Sequence, residues 1–124
     1  MGPSLTTFED LGTEAFTLND NGSKNIYFNC SYESSSAIID LHFVESITGS
    51  YCIGIYINGA KIRFTAGADN NHITVEIPSG VINQGENTLN IRQCNCYSVS
   101  DEWITVFDDS TITITEEMLS LIHI

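Results

Sequence analysis

Hydrophobic and polar residues alternate along most of this chain, most clearly between Cys52 and Phe64. Alternation with a period of two is the pattern of a half-buried β-strand. Within this stretch, Asn58-Gly59 supplies two residues that tolerate the positive φ angles of a type I′ turn. The pattern therefore predicts a central β-hairpin with one apolar face. That face carries Ile53, Ile55, Ile57, Ile62 and Phe64.

The same alternation predicts further short strands on both sides of the hairpin, joined by turns rich in Gly, Asn, Asp and Ser. Helical periodicity is almost absent. About eight or nine strands of this kind predict an all-β chain, arranged as an antiparallel two-sheet sandwich or a barrel. Outside the hairpin, the predicted strands cover residues 15–18, 24–32, 37–45, 72–77, 88–93, 103–107 and 111–115.

A length of 124 residues is enough for one domain with a substantial core. We assign residues 1–118 to a single β-sandwich domain, in which residues 4–12 form a lead-in segment outside the strands. The inward positions of the strands define one predicted core. Its members are Ile39, Leu41, Phe43, Ile55, Ile57, Phe64, Val75, Leu89 and Ile91.

The end of the chain, residues 119–124, reads Leu-Ser-Leu-Ile-His-Ile and is apolar. The same string results when a widely used transposon-end sequencing adapter is translated in one frame. We therefore interpret residues 119–124 as a non-native tail, from a metagenomic reading frame that runs into adapter sequence. The alternative is a short helix that is capped by Thr115 and has Glu116 and Glu117 in its first turn.

The chain is strongly acidic, with 16 Asp and Glu residues against 4 Lys and Arg residues and a formal net charge of −12. Nucleic acid is a poor partner for such a surface, because phosphate binding relies on clustered basic residues. The same argument excludes an anionic membrane surface. No run approaches the roughly 18 apolar residues of a membrane-spanning helix. Neutral ligands, metal cations and basic partners remain.

Four cysteines are present, and their pairing cannot be read from the sequence alone. The spacing of Cys94 and Cys96 is one residue too short for the Cys-x-x-Cys unit of a zinc site. We expect free, partly buried thiols at Cys30, Cys52, Cys94 and Cys96 in preference to disulfides, and both in preference to a metal site.

Three segments between Ile39 and Arg92 carry a family resemblance: a strand ending in Ile-Tyr-Ile-Asn-Gly, a strand reading Ile-Thr-Val-Glu-Ile-Pro, and a strand reading Gly-Glu-Asn-Thr-Leu-Asn-Ile. In this order they resemble galactose-binding-like jelly-roll domains, in which an Asn-Gly hairpin precedes a strand with Gly-x-Asn-x-Leu-x-Ile. The resemblance covers about half of the chain and implies a jelly-roll β-sandwich. Such domains are commonly non-catalytic carbohydrate-binding modules, appendages of glycoside hydrolases, or modules of phage tails and virions. It implies no set of ligand residues.

Candidate ligand-binding residues come from the outward positions of the strands. An aromatic ring flanked by planar polar groups suits sugar recognition, because the ring stacks on the C–H face of a pyranose while the polar groups bind its hydroxyls. Tyr56 is the predicted platform; Tyr51, Tyr97 or Trp103 at an edge are the alternatives, although Trp103 is also expected in the core. The other members of this predicted single face are Asp40, His42, Glu76, Asn90 and Arg92.

Two loops carry clustered side-chain oxygens, which are the ligands that Ca²⁺ prefers. Asp69 and Asn71 lie in one loop, and Asp108 and Asp109 lie in the other. Asp and Asn are also ordinary turn residues, and the sequence lacks the spacing of an EF-hand. A structural Ca²⁺ at these four residues is therefore a hypothesis, and no other cofactor is expected.

No catalytic motif is present, so we expect no enzymatic activity. Asp40 and His42, like His72 and Glu76, are two residues apart on a strand. That spacing makes them neighbours without the oriented nucleophile and base that covalent catalysis needs.

The sequence therefore predicts a non-catalytic carbohydrate-binding module, one part of a larger enzyme or adhesin, that binds a glycan or cell-surface polysaccharide. The alternative is a structural or receptor-binding module of a phage tail or virion, which would form a homo-oligomer. Either role implies an extracellular or virion-associated location, although residues 1–10 lack the basic and apolar segments of a signal peptide.

Overall fold

The chain is built almost entirely of β-strands. The computed structural model describes residues 3–31, 34–67, 71–98 and 101–116. In this part of the chain the one helical element is a 3₁₀ turn at Glu9–Leu11, and no helix is long and apolar enough to cross a membrane. The strands are β1 (Pro3–Thr7), β2 (Phe16–Asn19), β3 (Ser23–Cys30), β4 (Ser34–Glu45), β5 (Ile53–Ile57), β6 (Ala60–Ile62), β7 (Thr65–Ala66), β8 (His72–Ile77), β9 (Gly85–Gln93), β10 (Trp103–Val106) and β11 (Thr111–Glu116).

The described strands form two sheets, and every pairing between them is antiparallel. The larger sheet has seven strands in the order β1-β11-β4-β10-β2, with β8 on the other edge of β4 and β7 beyond β8. The smaller sheet has four strands in the order β3-β9-β5-β6. The fold is therefore the predicted antiparallel β-sandwich rather than a closed barrel.

The core lies between the two sheets and follows the predicted alternation closely. On β4, Ala37, Ile39, Leu41 and Phe43 are at most 2% exposed, while the residues between them face solvent. Of the predicted core, all members except Phe64 are fully buried. Phe64 is only half-buried against the core, because β6 ends at Ile62 and the chain no longer keeps strand alternation there.

The central hairpin is confirmed in its turn type and register. Asn58 and Gly59 have φ angles of 50° and 87°, which is the pair of positive values that a type I′ turn requires. Ile57 pairs with Ala60 on the returning strand. A β-branched residue at either turn position would be strained, so the Asn-Gly pair fixes where β5 ends and β6 begins.

Buried hydrogen bonds of Asn87 explain the Gly-x-Asn-x-Leu-x-Ile segment. Its Oδ1 accepts from Asn58 Nδ2 and from the backbone N–H of Asn83, both at 2.8 Å. Its Nδ2 donates to the carbonyls of Asn83 and Gly85 at 2.9 and 3.1 Å. Asn58 Oδ1 in turn accepts from the N–H of Thr88 at 2.9 Å. These bonds lock the hairpin turn onto the start of β9.

Two expectations for the chain ends need correction. Residues 3–7 form strand β1, paired with β11, instead of belonging to a lead-in segment. Strand β11 continues through Glu116, so Thr115 does not cap a helix that has Glu116 in its first turn. The proposed adapter-derived tail, residues 119–124, lies outside the described residues.

The alternation on β4 gives a matched stability test in two adjacent isoleucines. Ile39 is 0% exposed and Ile38 is 43% exposed on the opposite face. We expect Ile39→Ala to lower the free energy of unfolding by roughly 2–5 kcal/mol, because it leaves a cavity in the core. Ile38→Ala should cost less than about 1 kcal/mol. Denaturant unfolding measures both, and equal costs would contradict the face assignment.

Candidate functional site

The outer face of the four-stranded sheet carries amide, aromatic, hydroxyl and cationic side chains. Strand alternation sends Ile26, Ile55 and Ile91 into the core and the residues between them outward. We call this surface the Tyr56 face. Its members are Asn25, Tyr27, Gly54, Tyr56, Lys61, Thr88, Asn90 and Arg92.

Strand register places Tyr56 at the centre of one row across this face. Tyr56 pairs with Asn90 on one side and with Lys61 on the other. Asn90 pairs in turn with Asn25 on β3. Because neighbouring strands lie about 4.8 Å apart, these four side chains form a continuous strip. Its order is amide, amide, aromatic ring, ammonium group.

The ring of Tyr56 lies low over the sheet because position 54 is glycine. A Cβ atom at position 54 would lie 3.2 Å from Cε1 of Tyr56 and 3.1 Å from Sγ of Cys94. The guanidinium carbon of Arg92 is 5.1 Å from the centre of the Tyr56 ring, within the range of a cation–π contact. Tyr56 and Arg92 therefore form one aromatic and cationic unit.

Asn90 brings an uncommitted hydrogen-bond acceptor to the strip. Its Nδ2 donates to Oδ1 of Asn25 at 2.8 Å. Its Oδ1 is buried and has no hydrogen-bond partner, which is unusual for a buried polar atom.

Two cations converge beside Tyr56. Burial raises the pKa of the Cys94 thiol above its ordinary value, and the charges of Lys61 and Arg92 oppose that shift. Strand register places Lys61 opposite Tyr56 and Arg92 opposite Gly54, which Cys94 adjoins. In the described part of the chain neither Lys61 nor Arg92 has a carboxylate within salt-bridge distance.

The prediction that six ligand residues share one face is wrong. Tyr56, Asn90 and Arg92 lie together on the four-stranded sheet, but Asp40 and His42 on β4 and Glu76 on β8 face outward from the seven-stranded sheet. Alternation distinguishes inward from outward positions without saying which sheet a strand joins. Of the three displaced residues, Glu76 comes nearest, since it lines a groove of about 420 Å³ that Lys61 also lines.

His42 belongs to a separate cluster on the seven-stranded sheet. Its Nδ1 lies 2.8 and 3.0 Å from the two carboxylate oxygens of Asp109. The rings of His72 and Phe107 are each centred 4.7 Å from the His42 ring. Ser110 is nearby, but its buried Oγ accepts from the backbone N–H of His42 at 3.0 Å. The hydroxyl does not face the imidazole, so these residues do not form a nucleophile–base pair.

The four predicted calcium ligands are partly brought together. The backbone N–H of Phe43 donates to the carbonyl of Asn71 at 2.9 Å. Asp109 contacts His42, which is next to Phe43 on β4, so Asn71 and Asp109 approach neighbouring residues of the same strand. Asp108 lies beside Asp109, whereas Asp69 lies outside the described residues. In the described part of the chain no group of three or more His, Cys, Asp and Glu side chains could hold a metal. The calcium hypothesis stays a prediction.

None of the alternative aromatic platforms belongs to a strand of the four-stranded sheet. Trp103 on β10 is half-buried rather than fully in the core. The ring of Tyr51 packs edge-on against Phe43 at 6.1 Å, which makes it a packing residue. Tyr97 is 57% exposed in the loop after β9. Sequence reasoning missed Asn25, Tyr27 and Lys61, although Lys61 alternates with the apolar Ile62 in the hairpin and so occupies an outward position.

The sequence analysis favoured free thiols at all four cysteines, and this prediction is wrong for one pair. Cys52 and Cys96 form a disulfide with their Cα atoms 5.5 Å apart, while Cys30 and Cys94 do not form disulfides. The N–H of Cys94 donates to the carbonyl of Cys52 at 3.0 Å. This hydrogen bond extends the β5–β9 ladder by one residue pair beyond the ends of the two strands. It therefore places residues 94–96 beside Cys52.

No protein-family model and no curated protein matches the sequence. Among solved structures, a β-porphyranase of glycoside hydrolase family 86 from the human gut bacterium Bacteroides plebeius has a TM-score of 0.71 at 12% identity. A GH26-CBM35 β-(1,4)-mannanase from Podospora anserina has a TM-score of 0.51 at 18% identity. The matches cover 95% and 98% of this chain, which spans only 21% and 29% of those two chains.

A family 35 carbohydrate-binding module from Clostridium thermocellum also matches, with a TM-score of 0.48 at 18% identity over 91% of this chain and 98% of the module. The similarity to the porphyranase and the mannanase shows a shared fold. The predicted jelly-roll β-sandwich is therefore confirmed.

The disulfide beside the Tyr56 face gives a stability prediction. Cys52 and Cys96 are 44 residues apart, and closing a loop of that size stabilises a fold by roughly 2–4 kcal/mol. We expect a reducing agent to lower the free energy of unfolding by about that amount. The Cys52→Ala/Cys96→Ala variant should be equally destabilised and insensitive to the reductant. Unchanged stability of fully reduced wild-type protein would contradict the assignment.

Proposed function

We propose that this chain is a non-catalytic carbohydrate-binding module and that its ligand site is the Tyr56 face. The observation that carries the proposal is the strip across the four-stranded sheet, in which Tyr56 lies between Asn90 and Lys61, with Arg92 over its ring. A sheet is a rigid support, so these groups keep their spacing without a ligand. That pre-organisation lowers the entropic cost of binding.

The chemistry of the strip fits a sugar better than other neutral ligands. The apolar C–H face of a pyranose packs on a flat π surface, and the half-buried Tyr56 ring together with the Arg92 guanidinium over it supplies such a surface. Asn25 and Asn90 supply amide donors and acceptors at the spacing of one strand, which suits vicinal hydroxyl groups. The surface is open, so we expect it to bind an internal stretch of a polysaccharide.

The module would be one part of a larger enzyme or adhesin. The porphyranase and the mannanase, which share this fold, are much longer chains than this one. The Cys52–Cys96 disulfide supports an extracellular location, because disulfides persist in oxidising compartments.

The available side chains support a binding role without catalysis. Ser110, His42 and Asp109 are neighbours, but the serine hydroxyl is buried and bonded to the backbone. On the Tyr56 face the described side chains include no carboxylate pair that could act as acid and base on a glycosidic bond. The virion role stays a prediction, and a stable trimer in solution would support it.

Removal of the Tyr56 ring tests the proposed site. Wild-type affinity for a polysaccharide fragment should lie in the millimolar to micromolar range, about −4 to −8 kcal/mol. Tyr56→Ala should weaken binding about tenfold or more, because the stacking surface is lost. Tyr56→Phe should keep most of the affinity. Titration calorimetry, after a glycan array identifies a ligand, measures each value.

Asp40→Ala is the matched control, because Asp40 lies on the outer face of the opposite sheet. It should leave the affinity unchanged. Loss of binding in Asp40→Ala with none in Tyr56→Ala would move the site to the seven-stranded sheet. No binding to any glycan on the array, together with a stable trimer, would favour the virion role.

A further inference from the structure

The few basic residues of this acidic chain are unevenly distributed. The chain has 16 acidic and 4 basic residues. Three of those four, Lys61, Arg63 and Arg92, lie on or beside the Tyr56 face. The fourth, Lys24, faces the other way, with its ammonium 5.7 Å from the centre of the Phe16 ring. A net charge of −12 therefore conceals a local cationic patch.

Carboxylates are scarce where these cations lie. Among the described outward residues of the four-stranded sheet, Glu86 is the one acidic side chain. It is six positions from Arg92 along β9, which is about 20 Å in an extended strand. Glu76 lines the groove at the β6 edge with Lys61 and Arg63. No described carboxylate lies within salt-bridge distance of Lys61, Arg63 or Arg92.

Uncommitted cations are informative in a chain where acidic side chains greatly outnumber them. Ion pairs would be easy to form here, yet the fold keeps these three cations apart from the described carboxylates. Lys61 and Arg92 lie on either side of the Tyr56 strand, β5. Two strand spacings and an offset of two residues along the strands separate their backbones, about 12 Å. The two cations therefore lie on opposite sides of the strand that carries Tyr56.

We propose that the Tyr56 face binds an anionic glycan, one whose sugar rings carry a carboxylate or a sulfate ester. This inference rests on the proposed carbohydrate-binding function and names its ligand class. Arg92 presents a planar fork that pairs with two oxygens of such a group. Lys61 supplies a second charge, and Tyr56 packs against the ring that bears the anion.

The inference reverses the neutral-ligand expectation drawn from the overall charge. At physiological ionic strength the screening length is about 8 Å, so carboxylates on distant parts of the surface contribute little at Tyr56. The adjacent cations then determine which ligand binds. Affinity for the anionic glycan should fall at high salt, whereas affinity for a neutral glycan should not.

The inference is tested by comparing the affinities of three polysaccharides in the same buffer. Polygalacturonate carries carboxylates, κ-carrageenan carries sulfate esters, and unsubstituted galactan is the neutral control. Binding is measured by affinity electrophoresis and by calorimetry on short fragments. We expect at least one anionic polysaccharide to bind about tenfold more tightly than galactan. Polyglutamate, a polyanion without sugar, should not bind.

Charge-removing variants assign the preference to individual residues. Arg92→Gln and Lys61→Gln should each reduce binding of the anionic glycan about tenfold, and each should lower the ratio of anionic-glycan affinity to galactan affinity. Arg92→Lys should restore part of the loss, because it returns the charge without the planar fork. Lys24→Gln is the matched control and should have no effect. Unchanged melting temperatures verify that the variants fold.

The outcomes separate this inference from the proposed function. Equal or tighter binding of galactan would overturn the anionic preference and leave the carbohydrate-binding role standing. Equal binding of polyglutamate would overturn the preference for a sugar. No binding of any glycan by folded wild-type protein would overturn both the inference and the proposed function.

Discussion

The pairing of β5 with β9 is the constraint on which the structure depends. One ladder of backbone hydrogen bonds places Ile55 opposite Ile91 in the core and Tyr56 opposite Asn90 on the surface. The buried contacts between Asn58 and Asn87 fix its register at one end, and the bond from Cys94 to Cys52 extends it at the other. A slip of one residue would move every side chain to the opposite face, so core and candidate site depend on the same register.

The sequence alone predicts a large part of this fold, because the local alternation of apolar and polar residues indicates which strand positions face inward and which face outward. That signal correctly identified the buried side chains of β4, such as Ile39 and Leu41. It failed for Phe64, where the strand ends earlier than the alternation suggests. The turn of the central hairpin was also predictable from the sequence. Asn58-Gly59 adopts the predicted type I′ turn, because few other residue pairs tolerate its backbone angles.

Long-range arrangement could not be predicted in the same way. Asp40 and Tyr56 lie on consecutive predicted strands, yet those strands enter different sheets, and alternation carries no information about that choice. The pairing of Cys52 with Cys96 likewise depends on register between segments far apart in sequence. Total charge misleads for a related reason. It sums over the whole surface, whereas the fold places Lys61 and Arg92 on either side of the strand that carries Tyr56.

The central claim is that the ligand site lies on the four-stranded sheet. Nuclear magnetic resonance titration of ¹⁵N-labelled protein with an oligosaccharide tests it most directly, because each backbone amide reports on its own surroundings. The account predicts the largest chemical-shift changes at Tyr56, Lys61, Asn90 and Arg92, with none at Asp40 or His42 on the other sheet. Shifts confined to β4 and β8, with the amides around Tyr56 unmoved, would contradict it.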